Sequence, residues 1–183
     1  VKILQPGPGV GGHCISVDPW FFVEAAPDIA QLIHQARRVN DGQPEYVVAR
    51  LCETLGDLRG KTFAALGVTY KPNVDDIRES PAIEVVHLLR EAGAEVRVFD
   101  PYVKSNGDLA GLLTDSAEAA ATGAEGLLLL VQHREFLKLD IARLAAVMQR
   151  PFVFDTRNVL DYEIWRAAGF EVLLLGNNKA QDL

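Results

Sequence analysis

Long apolar runs, a surplus of positive charge and a cysteine framework are all missing from this 183-residue sequence, and each absence narrows what the chain can be. No stretch approaches the roughly 18 consecutive apolar residues of a membrane-spanning helix. The longest, such as Gly126 to Val131, have the length of a strand. A formal net charge of −7 speaks against a nucleic-acid coat, whose footprint is a basic patch or stripe. It leaves room for a small anion, because a few cations converging on one pocket hold a diphosphate whatever the overall sign. The two cysteines, Cys14 and Cys52, make neither a disulfide framework nor a metal-ligand spacing. The first residues lack the basic, apolar and small-residue succession of a secretory signal. These features predict a soluble chain without metal, working in a reducing, cytoplasmic compartment.

What is present divides into three parts. With 49% hydrophobic and 23% charged residues, the length suffices for one α/β core and an appendage. Residues 1–18 read as a loop, because the glycines and prolines of QPGPGVGGHC interrupt both a helix and a central strand. A domain rarely opens on a strand-like VKIL running straight into a glycine loop, so the native polypeptide is expected to continue upstream. Residues 19–58 carry helical periodicity, with Ile29, Leu32, Ile33 and Ala36 on one face, then Val47, Val48, Leu51, Cys52 and Leu55. Between these groups, Asn40, Asp41, Gly42 and Pro44 read either as a break between two helices or as a kinked turn of one. An apolar stripe at a domain edge is suited to pairing with its copy, which predicts a homodimer.

In residues 59–183, strands and helices alternate. KTFAALGV leads to a helix opened by Ser80 and Pro81 and ended by Gly93; EVRVFDP, GLLLLV, PFVFD and FEVLLL follow with helical segments between them. Continuous apolar strands in this alternation predict an α/β fold, a Rossmann-like parallel sheet with helices on both faces.

The first chemical cluster is Gly9, Gly11, Gly12, His13 and Cys14, with Asp18 four residues beyond the cysteine. Glycines let a backbone approach a ligand closely and free amides for an anion, while a loop thiol can be presented to a substrate. A thiol of pKa about 8.5 needs neighbours such as His13 or Asp18 to become a good nucleophile. Cys14 could equally be a small buried hydrophobe at a turn, and spacing alone does not choose. Cys52 lies on an apolar stripe and reads as core. His34, His87 and His133 are solitary and gain no role.

The second cluster, YKPNVDDIRES from Tyr70 to Ser80, follows the first strand of the sheet, where ligands of open parallel sheets bind. Lys71 and Arg78 therefore occupy favoured places. Asp75 and Asp76 suit sugar hydroxyls, orientation of the cations or, best, organisation of the loop. Arg157 follows a later strand end, in FVFDTRNVLD, where it can pair with a phosphate or with Asp155. Asp100 stands where a Rossmann acid binds ribose, yet FDP is also a common strand-ending turn, and a structural role is expected. The first strand is not followed by GxGxxG, so topology alone does not make this sheet an NAD site.

In order along the chain, GPGVGGHCISVDPWF, ARRVND, LGVTYKPNVDDIRESPAIEVVHLLREAGAEVRVFDP and FDTRNVLD resemble the UDP-glucose/GDP-mannose dehydrogenase family over nearly the whole length. The resemblance implies oxidation of a sugar C6 alcohol to a carboxylate with two NAD+ in succession, through a thiohemiacetal and a thioester on the cysteine. It makes Cys14 the nucleophile and Asp18 the acid that positions or activates water. It also implies that Gly9, Gly11, Gly12 and His13 line the sugar, that Lys71 and Arg157 contact the nucleotide sugar, and that Arg78 reaches toward NAD. The form HCISVDPWF looks most like members acting on UDP-N-acetyl-D-mannosamine, with UDP-N-acetylglucosamine and UDP-glucose as alternatives. The family's first half, with its GxGxxG fold and the lysine and asparagine that stabilise the oxyanion, has no counterpart here. The chain is thus expected to be a carboxy-terminal portion, residues 59–183 binding UDP, inactive without its NAD-binding domain. A nucleotide-sugar binding or dimerisation module in which Cys14 is incidental is the other reading.

Overall fold

The structure, a computed structural model, describes residues 5–105 and 107–177, so the strand-like VKIL lies outside the described residues. Three helices come first: α1 (Asp18–Ala25), α2 (Gln31–Asp41) and α3 (Gln43–Leu55). Strands β1 (Thr62–Leu66), β2 (Glu95–Phe99), β3 (Gly126–Leu129), β4 (Phe152–Asp155) and β5 (Glu171–Leu174) follow, with α4 (Pro81–Glu91), α5 (Ala117–Ala121), α6 (Ile141–Val147) and α7 (Tyr162–Ala167) between them. All strand pairings are parallel, in the order β2-β1-β3-β4-β5.

Both faces of the sheet are covered, which is why β3, and β4 up to Asp155, are apolar without alternation. On one face Phe63, Ala65, Leu128 and Phe154 pack with Val47 and Leu51 of α3 and Val85, Val86 and Leu89 of α4. On the other, Ala64, Leu66, Leu127 and Val153 meet Ala120 of α5, Leu144 of α6 and Trp165 of α7.

Local signals set the helix ends. Ser116, Asp140 and Asp161 accept from the amides of Ala119, Arg143 and Ile164, as N-caps do. Ser80 takes the N-cap place of α4 with Pro81 just inside, but its hydroxyl makes no capping bond. The Ile83 amide it would serve donates instead to the Ser80 carbonyl, at 3.1 Å. Gly93, at φ +84°, ends α4 as expected: its amide reaches the Arg90 carbonyl and that of Ala94 reaches Leu89.

The junction of α2 and α3 is a single residue, Gly42, in the right-handed helical region. The two are separate elements, and Pro44 offers no amide to continue the ladder of α2. The expectation that Cys52 belongs to the core is corrected, since its side chain is exposed. The buried stripe of α3 is narrow, running through Val47 and Leu51 with Val48 and Leu55 half-buried, and Cys52 falls beyond its edge. The stripe on α2 is likewise unburied. Ile29 just before it and Leu32 on it are 87% and 82% exposed, Phe21 and Phe22 of α1 62% and 63%, and α1 buries none of its residues.

Candidate functional site

The connections of β1 and β3 leave in opposite directions, β1 toward β2 and β3 toward β4, although the two strands are neighbours. At such a switch point the loops part and open a crevice beyond the carboxyl ends of the strands. The loops after β1 and β4 carry Lys71, Arg78 and Arg157, and the glycine loop lies across them.

The glycines let this loop approach the protein itself. A Cβ on Gly11 would stand 1.9 Å from the carbonyl oxygen of Glu79, and one on Gly7 would stand 2.0 Å from Nη1 of Arg157. Gly12, at φ +98°, leaves no room for a Cβ beside the Tyr70 ring, and its amide donates to the Glu79 carbonyl at 3.3 Å. Asn40 holds the loop from the other side. Its Oδ1 accepts from the Val10 amide at 2.8 Å and its Nδ2 donates to the Val10 carbonyl at 3.0 Å.

Past Gly12 the chain coils into α1. The Asp18 amide donates to the Cys14 carbonyl at 2.8 Å, so the thiol and the carboxyl group stand one helical turn apart. Buried Arg37 fixes this turn through Nη1 to the Ile15 carbonyl at 3.2 Å, and it also pairs with Asp41. Both Cys14 and Asp18 are exposed and share a recess of about 350 Å³ with Ile15, Pro19, Phe22 and Ile33. Of the two sequence readings of Cys14, the buried hydrophobe is the one the structure removes.

His13 is exposed within electrostatic reach of Asp76, and exposed Arg78 is within such reach of Tyr70 and Cys14. Arg78 meets Asp76 in a fork, with Nε to Oδ1 at 3.0 Å and Nη2 to Oδ2 at 2.6 Å. The Arg78 guanidinium, then its backbone amide, hold the Asp76 carboxyl at a pKa of about 2. Asp76 therefore orients a cation, one of the roles foreseen for it. Asp75 is exposed.

Lys71 and Arg157 line one small recess together with Pro8, Gly9, Tyr70 and Pro81. Lys71 is exposed, its Nζ 5.1 Å from the centre of the Tyr70 ring. Arg157 is half-buried and has no ion-pair partner among the described residues, and its buried Nε lacks a hydrogen-bond acceptor. The neighbouring carboxylate is already committed, because Asp155 accepts from the amides of Arg157, Val159 and Leu160 and from the Tyr162 hydroxyl. Burial lowers the Arg157 pKa, opposed by the charge of Asp155. Arg157 also borders a larger cavity of about 910 Å³, with Gly7, Gly9, Asn40, Tyr46 and Thr156 on its wall. A guanidinium held at a cavity wall with an unused donor is suited to an anion.

Two residues escaped the sequence reading. Asn40 was seen only as a helix interruption, although a short amide side chain inside a helix is a mild signal of another duty. His133 looked solitary yet is wholly buried, in contact with Asp100, Thr69 and Asn73. Asp100 has the structural role expected of it, accepting from the Val68 and Tyr102 amides at 2.8 and 2.9 Å.

Comparison with known proteins agrees with this geometry. Residues 64–162, more than half of the chain, match the UDP-binding domain of the UDP-glucose/GDP-mannose dehydrogenase family, and residues 1–42 match its central domain. A UDP-N-acetyl-D-mannosamine dehydrogenase of Methanocaldococcus jannaschii is 44% identical over 98% of this chain. An NDP-N-acetyl-D-galactosaminuronic acid dehydrogenase of Ralstonia nicotianae is 47% identical over 87%. The chain spans 41% and 37% of the lengths of these two relatives. Among solved structures, a UDP-D-ManNAc dehydrogenase from Pyrococcus horikoshii superposes with a TM-score of 0.83 at 32% identity, over 96% of this chain and 41% of that one. With a parallel five-stranded sheet, a cation-lined crevice at its switch point and a family match over most of that sheet, the chain belongs to the UDP-glucose/GDP-mannose dehydrogenase family.

Proposed function

We propose that the chain is the carboxy-terminal part of an NAD-dependent dehydrogenase that oxidises the C6 alcohol of UDP-N-acetyl-D-mannosamine to the uronate. The observation that carries this reading is the exposed pair Cys14 and Asp18, one helical turn apart, at the end of a glycine loop that also touches Arg157. The uncommitted Arg157 and the nearby Lys71 take the diphosphate, and the glycine loop with His13 lines the sugar. The relatives named for UDP-N-acetyl-D-mannosamine favour this sugar over UDP-N-acetylglucosamine or UDP-glucose.

The residues present fit NAD only at one edge. The turn after β1, where a dinucleotide phosphate would settle, is filled: a Cβ at Gly67 would stand 2.6 Å from the Val131 Cβ. Arg78, exposed near Cys14, is the side chain that would meet the cofactor, the rest of whose site comes from elsewhere in the polypeptide. NAD, when bound, supplies the hydride acceptor for each of two oxidations.

The chain's own part is covalent. Once the alcohol has become an aldehyde, the Cys14 thiolate adds to its carbon, and the carbonyl oxygen takes a proton to give a thiohemiacetal. Loss of a second hydride and of the hydroxyl proton leaves a thioester. Asp18 then takes a proton from water as its oxygen attacks, and the carbon–sulfur bond breaks to return the thiolate. One alcohol, one water and two NAD+ thus yield one carboxylate, two NADH and three protons.

Titration with UDP and the alkylation rate of Cys14 test the reading. The expected result is UDP binding and a thiol that reacts with iodoacetamide but is shielded by UDP-sugar. A chain that neither binds UDP nor shows shielding overturns it. The 183 residues alone are expected not to turn over, and steady NADH formation from NAD and UDP-N-acetyl-D-mannosamine would refute that.

One observation favours a further element of this reading, a homodimer. The exposed apolar surface of Phe21, Phe22, Ile29 and Leu32 is a face for a second copy. Sedimentation of a single species at monomer mass across concentration would remove it.

A further inference from the structure

His133 sits in no cavity of the proposed site, yet it joins three loops at the carboxyl edge of the sheet. Its ring is fully buried. Nδ1 accepts from the Asn73 amide at 2.9 Å, so the ring proton resides on Nε2, which donates to Asp100 Oδ2 at 3.0 Å. The same Nε2–H is shared with Thr69 Oγ1, which accepts at 3.2 Å and donates its own hydrogen to the Lys71 carbonyl at 2.9 Å. A neutral imidazole thus ties the loop after β1 to the turn after β2 and to its own loop after β3.

The tie brackets Lys71. Thr69 on one side and Asn73 on the other are both fixed to the ring, and the Lys71 carbonyl between them is held through Thr69. Asn73 stands in the left-handed region at φ +61°, a conformation that asparagine tolerates, and its Oδ1 accepts from the Arg134 amide at 3.0 Å. Asp100 is anchored independently by two backbone amides, so the ring pulls against a fixed point. A buried neutral imidazole needs one acceptor for its N–H and one donor for its other nitrogen, and nothing requires both to flank the same residue. Here two of the ring's three polar partners, Thr69 and Asn73, flank Lys71, and the third, Asp100, anchors the ring.

We propose that His133 is a positioning residue for nucleoside-diphosphate binding, acting through Thr69 and the backbone of Lys71. This rests on the proposed role of Lys71 and Arg157 in holding the diphosphate.

The test is a double-mutant cycle on the 183-residue chain, with UDP affinity read by calorimetry and folding by thermal melting. Thr69→Val removes the hydroxyl link at nearly constant shape, and His133→Asn keeps an acceptor for Asn73 while releasing Asp100. Each is expected to weaken UDP binding about 3- to 10-fold when Lys71 is present, and to have no effect on UDP affinity in a Lys71→Ala background. A merely structural histidine would lower the melting temperature and weaken UDP equally in both backgrounds, and that additive result overturns the inference. Should His133→Asn fail to fold, the Thr69→Val cycle decides alone. Absence of UDP binding by the unsubstituted chain would instead sink the proposed function, and this inference with it.

Discussion

Asp155 and Arg157 stand two residues apart at the end of β4, and their side chains do not pair. The carboxylate accepts from three backbone amides and a tyrosine hydroxyl, while the arginine Nε has no acceptor among the described residues. One residue builds the turn and the other is left available to a ligand.

Removing Arg157 should therefore damage binding without damaging the fold. Arg157→Ala is expected to weaken UDP binding by about 2 kcal/mol, the scale of a hydrogen bond to a charged group, with a melting temperature equal to or above that of the parent. Calorimetric titration beside a thermal melt checks both halves.

Asp155→Asn should do the opposite. Its amide group cannot accept from every present donor, so at least one buried amide loses its partner, costing about 1–3 kcal/mol. Urea unfolding measures the loss, and an unchanged midpoint would show that the Asp155 turn tolerates it.

The glycine loop offers a reactivity readout. Asn40→Ala frees both backbone groups of Val10 and should destabilise the chain by about 1–2 kcal/mol. It should also accelerate amide exchange at Val10 and change the alkylation rate of Cys14. Exchange at Val10 that matches the parent would mean that Asn40 is not the clamp.

Gly11→Ala places a methyl group 1.9 Å from the Glu79 carbonyl, a distance that nothing but backbone movement relieves. The expected outcome is a shifted cysteine loop, seen as lost shielding of Cys14 by UDP-sugar while UDP binding at Arg157 is weakened less.

The Asp76–Arg78 fork gives a pH signature. Because the folded carboxyl pKa is depressed from 3.8 to about 2, its contribution to stability is complete above the unfolded value and disappears as pH falls from about 4 through 2. Both partners reach solvent, so the effect on stability is small. The sharper measurement is carboxyl titration by NMR: a midpoint near 2 is expected, returning toward the ordinary aspartate value in Arg78→Ala.

How much of this could be read from the sequence depended on whether the signal was local. Strands β1 and β3 were legible because a strand covered on both faces is apolar throughout, as FAAL and GLLL are, while the edge strand β2, EVRVF, was legible by its alternation. The end set by Gly93 was written just past the helix it terminates. Cys52 was misread because periodicity gives the direction of an apolar stripe and not its width. The exposure of Cys14 had no signature in spacing, since it depends on Tyr70 and Glu79 supporting the loop from far along the chain. His133 was illegible for the same reason, its ring partners lying 33 to 64 residues away.

The bare apolar face of α1 bears on more than association. An eight-residue helix has little persistence in water by itself, and this one has no buried residue, its packing on α2 including Trp20 edge-on to His34. Asp18 is its first residue, so the carboxylate's place relative to the Cys14 thiol rests on this helix together with the turn that Arg37 holds before it. On the proposed reading, a second copy covering Phe21 and Phe22 would also tighten the acid's placement, and by mass action the geometry of hydrolysis would then depend on assembly and concentration.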